Sequence, residues 1–161
     1  MESRLFKLHS FTVVGKREQL DLVDGEHEQK IPELWNLAKE PGGLVDLLLA
    51  INNENIEGIL GISDISNSSQ ENLNFDYWIA VNSSHTEDLT HLTIPAARWI
   101  SFEIDGVTPQ SIQKGFSKVF ENGLKSHDLV AALPYQIEYY PPNYLENVNT
   151  LMEIWIPIEI I

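Results

Sequence analysis

The chain has 161 residues, with 10 Lys and Arg against 24 Asp and Glu, a formal charge of -14 and no cysteine. That length suits one ordinary domain, and 43% apolar residues can fill a real core. The acidic balance excludes a nucleic-acid or anionic-membrane binder, because both need clustered cations, and no Lys or Arg occurs between Glu40 and Ala97 or after Lys125. Without cysteine there is no disulfide scaffold, thiolate zinc site or cysteine nucleophile. The charged start Met1-Glu-Ser-Arg4 does not read as a signal peptide, and the apolar window Leu44 to Ile51 is too short to span a bilayer. A cytoplasmic protein is expected.

Along the chain, Arg4 to Gly15 reads as an extended segment whose strand stops at Gly15, and Asp21 to Lys30 as a polar acidic run. Ile31, Leu34, Trp35 and Ala38 fall at helical spacing, with Pro32 in a first turn and Glu40-Pro-Gly-Gly43 as the stop. Leu44, Leu47, Leu48 and Ile51 predict a second short helix. Ile56 to Ile65 and Asn74 to Val81 read as strands separated by a polar loop. After the loop Asn82 to Thr90, Leu92 to Ile104 reads as one strand bent near Pro95. Thr108-Pro109 opens a helix with Ile112, Phe116, Val119 and Phe120 on its apolar face, ending near Asn122-Gly123. Two last strands, Tyr135 to Tyr140 and Leu151 to Ile160, flank a Pro/Asn-rich loop.

Each half is thus strand, helix and strand pair, so the expected architecture is α+β: duplicated β-α-β-β modules whose antiparallel sheets form a central ligand cleft. The whole chain, 1–161, is read as one domain with pseudo-repeats about 1–84 and 85–161. A strand, a helix and a hairpin cannot close a core alone. Where two such modules meet, a cleft is a natural ligand site.

Catalytic signatures are few. Gly58-Ile-Leu-Gly61 lacks the lysine of a phosphate loop, and Gly61-Ile-Ser63-Asp64 lacks the second glycine of a nucleophile elbow. The five histidines show no ligand spacing; His27, between Glu26 and Glu28, reads as part of a solvated loop, so no metal and no cofactor is expected. Aromatic residues are the more informative feature. Trp35, Tyr77, Trp78, Trp99, Tyr139, Tyr140 and Trp155 lie in elements that must pack together, either as core or as pocket wall. Two carboxylates stand in apolar strands. Alternation puts Glu153 with Trp155 and Glu138 with Tyr140. Each must face water, be paired or be held for use, since unpaired burial costs several kcal/mol, on the order of the penalty for any buried charge. On an antiparallel sheet with one solvated face, such alternation is also the ordinary polar-out pattern.

The runs Leu92-Thr-Ile-Pro-Ala-Ala-Arg-Trp-Ile-Ser-Phe102, Ile137-Glu-Tyr-Tyr-Pro141 and Met152-Glu-Ile-Trp-Ile-Pro-Ile158, with the helix from Thr108, resemble GyrI-like small-molecule-binding domains. Phe11-Thr-Val-Val-Gly15 and Tyr77-Trp-Ile-Ala-Val81 extend the resemblance over the first half. These domains are the effector-binding modules of multidrug-sensing AraC-type and MerR-type bacterial regulators, and also occur alone. The resemblance implies a ligand groove between the modules, with the last-strand glutamate, here Glu153, anchoring amphipathic and cationic small molecules. Trp155, Tyr140, Tyr77 and Trp35 are its implied walls, with Trp99 and Glu138 as further candidates. Ala97 stands where glycine is usual and Trp99 where tyrosine is usual, which alters the pocket's shape. The implied role is a stand-alone sensor or sequestering protein that acts through a protein partner rather than on DNA. Two alternatives accompany it. One is a hydrolase of electrophilic or strained-ring compounds with Glu153 activating water, as some stand-alone members resemble; the other is an acidic protein-protein inhibitor.

Overall fold

The computed structural model describes residues 2–69, 71–85, 88–104, 109–127, 129–142 and 151–160. Thr108 and most of the loop after Pro142 lie outside them. Among the described residues nine strands form one antiparallel sheet: β1 (Ser3–Leu8), β2 (Phe11–Asp21), β3 (Ile59–Asp64), β4 (Asn74–Asn82), β5 (Thr90–Ile94), β6 (Ala97–Ile104), β7 (Leu129–Ala131), β8 (Tyr135–Tyr140) and β9 (Met152–Ile160). Helices α1 (Glu26–Ala38) and α2 (Leu44–Ile51) connect β2 to β3. Helix α3 (Pro109–Lys118) connects β6 to β7, continuing through a π-helical turn, Val119–Gly123, and a last turn, Leu124–Ser126.

The strand order is β1-β6-β9-β8-β3-β4-β2-β5, with β7 paired to the end of β9. Its two central blocks mirror each other: β6-β9-β8 from the second half meets β3-β4-β2 from the first along the β8·β3 ladder. This is the duplicated α+β architecture, merged into one continuous sheet. The edge strands are exchanged, since β1 pairs with β6 of the second half and β5 with β2 of the first.

That exchange curls the sheet. Only His9 and Ser10 separate β1 from β2, and only Pro95 and Ala96 separate β5 from β6, yet the members of each pair stand near opposite ends of the order. Three Cα steps of about 3.8 Å reach roughly 11 Å, so the two edges must approach each other. The rings of Phe11 on β2 and Trp99 on β6, five places apart in the sheet, lie 6.4 Å from centroid to centroid. Leu92 to Ile104 is therefore two strands on different edges rather than one bent strand: Pro95 has no N–H to offer a ladder, and the chain changes partner there.

Other boundaries shift for local reasons. Gly15 does not stop a strand; a Cβ there would strike the Ile79 carbonyl and Ala80, so the glycine lets β2 lie close against β4 while it runs on to Asp21. Helix α1 starts at Glu26, inside the acidic run, because Gly25 takes a left-handed conformation (φ 69°) and Glu26 and Glu28 suit the positive end of the helix dipole. Pro32 accordingly sits inside α1 rather than in its first turn.

Each sheet face has its own core. The helix-covered face holds Val14, Ile59, Phe75, Tyr77, Ile79, Ile100, Phe102, Ile154 and Ile156 against Trp35, Leu48, Val119 and Leu124. The opposite face, inside the curl, packs Val13, Leu60, Ile62, Trp78, Ile94, Trp99, Ile137 and Trp155 together. Among the described residues no helix is long and apolar enough to cross a membrane.

Candidate functional site

A cavity of about 710 Å³ opens on the helix-covered face where the two β-α-β-β blocks meet. Its walls are α1, through Ile31 and Trp35, with Lys39 just after that helix, and α3, through Ile112, Phe116 and Ser117. Its floor is the β3·β8 ladder, through Ile59, Ser63, Gln136, Glu138 and Tyr140. A volume of this size holds a drug-sized molecule, for which several hundred Å³ is the usual range.

Glu138 is the chemical centre of the floor, only 6% exposed. The Tyr140 hydroxyl donates to its Oε1 at 2.6 Å and the Tyr77 hydroxyl to its Oε2 at 2.9 Å. The Trp35 indole Nε1–H donates to the Tyr77 oxygen at 2.8 Å. Because an indole can only donate, this bond fixes the direction of the chain: the Tyr77 oxygen accepts from Trp35, and its own proton is aimed at Glu138. Trp35 and Tyr140 also meet edge to face, with centroids 5.0 Å apart. Burial pushes the Glu138 carboxyl above the ordinary glutamate range, while the two phenolic donors pull the other way. Burial, followed by the charge of Glu138, pushes the Tyr77 phenol well above its ordinary value, so it remains a donor. Among the described residues no Lys or Arg pairs with Glu138.

Gly61 makes this arrangement sterically possible. It lies opposite Glu138 on one side and Ile79 on the other. A Cβ there would come within 2.5 Å of the Tyr77 hydroxyl and 3.2 Å of both Glu138 Cδ and Trp35 Cζ2. In the sequence this residue stood out only in two rejected motifs, a phosphate loop and a nucleophile elbow. Its signal was alternation: Ile59, Gly61 and Ser63 share a face, and the missing side chain falls where three large ones converge. Phe116 and Lys39 also line the cavity without having been singled out as site residues.

The structure thus brings Trp35, Tyr77, Tyr140 and Glu138 together. It does not bring Glu153, Trp155 or Trp99 to them. Ladder register decides this, because Tyr139 is the cross-strand partner of Glu153, and Glu138 that of Ile154. Glu153 therefore shares the inner face with Tyr139 and does not line this cavity, whose floor carboxylate is Glu138. On its own face Glu153 accepts from the Trp155 Nε1–H at 3.0 Å and pairs with Arg4 at 3.4 Å. Trp155 stacks on Tyr139, centroids 4.7 Å apart, and meets Phe6 edge-on at 5.1 Å. Trp99 is fully buried behind it.

Comparison with known proteins agrees with this architecture. The structure of SAV2435 bound to tetraphenylphosphonium is similar at 23% identity, covering 99% of this chain and 94% of that one, with a TM-score of 0.82. A putative bacterial transcription regulation protein from Staphylococcus aureus MU50 is similar at 23% identity, 99% coverage of both chains and a TM-score of 0.81. The integron cassette protein VCH_CASS2 from Vibrio cholerae is similar at 16% identity, covering 98% and 95%, with a TM-score of 0.65. At these identities the likenesses establish the fold. No curated protein sequence matches the chain. The family described as "Cass2: Integron-associated effector binding protein" matches residues 4–158, nearly the whole chain. The protein belongs to this effector-binding family and carries its GyrI-like fold.

Proposed function

We propose that the domain binds lipophilic cations in the cavity between α1 and α3, with Glu138 as the charge anchor and Trp35 and Tyr140 as aromatic walls. The observation that carries this reading is a nearly buried carboxylate on the floor of a largely apolar cavity, held by two hydroxyl donors and by no cation among the described residues. A bound cation would supply the missing charge, and the ring faces beside it would add cation–π attraction. The tetraphenylphosphonium bound by SAV2435, which shares the fold, supports the same ligand class. In this role the protein senses or sequesters its ligand, and any effect on transcription runs through a protein partner.

Titration with tetraphenylphosphonium, followed through tryptophan quenching, tests the anchor. Removing one partner of a buried charge pair costs roughly 2–5 kcal/mol, so Glu138→Gln should weaken binding on the order of thirtyfold or more. Glu153→Gln should leave affinity within about twofold, the scale of a partly exposed ion pair. Loss of binding in Glu153→Gln with retention in Glu138→Gln would overturn the assignment.

A further inference from the structure

Lys39 is the only lysine or arginine among the described residues that line the cavity. It directly follows α1, and its backbone N–H closes onto the Trp35 carbonyl at 3.0 Å. Its ammonium lies 5.8 Å from the centroid of the Trp35 ring, while that indole's N–H engages Tyr77 and, through it, Glu138. Trp35 therefore stands between a carboxylate and an ammonium.

The helix dipole accounts for a cation after α1, but a lysine reaching straight into solvent would serve the dipole equally well. Here the side chain, though exposed, carries its ammonium over an indole, partial burial holds its pKa below the ordinary lysine value, and among the described residues it has no carboxylate partner. The cavity wall is also polarised along its length. Glu28 lines one end of the α1 wall and Lys39 the other, about 16 Å apart at 1.5 Å per residue. A ligand carrying only positive charge would fill a cavity with an unpaired ammonium on its wall. A ligand that also carries an oxyanion offsets that ammonium.

We infer that the cavity selects zwitterionic amphiphiles: a cationic group settles at Glu138, an apolar body lies against Trp35, and an oxyanion meets Lys39. The inference rests on Glu138 being the cation anchor, and it adds a determinant of which cations are preferred.

A matched pair of probes tests it, carboxybutyl-triphenylphosphonium and its methyl ester, which share a cationic head and differ in one negative charge. In the wild-type protein at low salt the acid should bind roughly two- to fivefold more tightly than the ester, the scale of a partly exposed ion pair. Lys39→Met should bring that ratio to about one or below, and Lys39→Arg should preserve it. An acid-to-ester ratio that is the same in wild type and Lys39→Met, with the ester still bound, overturns the role of Lys39 and leaves the anchor standing. Failure of the wild-type protein to bind either probe overturns the anchor and the zwitterion preference together.

Discussion

Glu138 and Glu153 occupy neighbouring strands, one residue apart in register, and their surroundings are opposite. Glu138 faces the helices, nearly buried, with only hydroxyl groups to receive its charge. Glu153 faces the inside of the curl, with a guanidinium 3.4 Å away, an indole N–H donating to it and a fifth of its side chain exposed. A carboxylate with an intramolecular cation is already satisfied. One that has only neutral donors in an apolar cavity retains the capacity to attract a charged ligand, which is why the proposed anchor is Glu138.

The largest loss of folding stability expected from breaking this contrast comes from Gly61→Ala. The new methyl would press on Tyr77, Glu138 and Trp35 together, and all three are confined by the sheet or by α1. Overpacking of this kind costs roughly 1–3 kcal/mol, which for a domain of this size lowers the melting temperature by several degrees, about 2–4 °C per kcal/mol. Tetraphenylphosphonium affinity should fall with it, because the indole-phenol-carboxylate chain cannot keep its geometry. Full affinity and an unchanged melting temperature would show that the network is not the binding centre.

A smaller effect follows from protonation. The Glu138 carboxyl is raised above its unfolded value of about 4.5, with burial as the main cause. The folded state therefore prefers the neutral form: this contribution to stability is complete below the unfolded pKa and is lost as pH rises through the folded pKa. The proposed cation binding should run the other way and strengthen as pH rises through the same window, because only the ionised carboxylate supplies charge. Both trends should be absent in Glu138→Gln and so remain in the difference between wild type and this variant, measured by thermal melts and by titration from pH 4 upward. A wild-type affinity flat across this range would mean that Glu138 does not change charge state there.

Much of the fold was legible in the sequence because alternation and helical spacing report which face is buried. The β-α-β-β duplication, the two first-half helices and the terminal strands all emerge from those periods. The exchange of β1 and β5 was not legible: Leu8 to Phe11 read as part of one extended segment and Ile94 to Ala97 as a bend within one strand, and nothing in their residues says that each spans the mouth of a curled sheet. At the site, alternation grouped Glu138 with Tyr140 and Glu153 with Trp155 correctly. It could not say which group faced the helices, since a one-residue change of register exchanges the faces and the ladder partners lie far away in sequence. Lys39 was hidden for a similar reason. On a helical spacing it lies between the last apolar position, Ala38, and the stop at Glu40, and only the path of its side chain over Trp35 makes it a cavity group.

The smallest expected effect separates the two carboxylates most directly. In a double-mutant cycle of Arg4→Ala with Glu153→Gln, the coupling should be about 0.2–1 kcal/mol, because Arg4 is 59% exposed and an exposed pair is screened by water and salt. It should shrink further in high salt, where the Debye length falls to about 3 Å at 1 M. The parallel cycle of Tyr77→Phe with Glu138→Gln breaks a hydrogen bond to a buried charged group, worth about 1.5–3 kcal/mol, and salt should barely change it. Equal couplings with equal salt responses would erase the distinction between the faces. Unequal ones would assign the structural ion pair to the inner face and the poised charge to the cavity, because only a desolvated, uncompensated carboxylate combines strong coupling with indifference to salt.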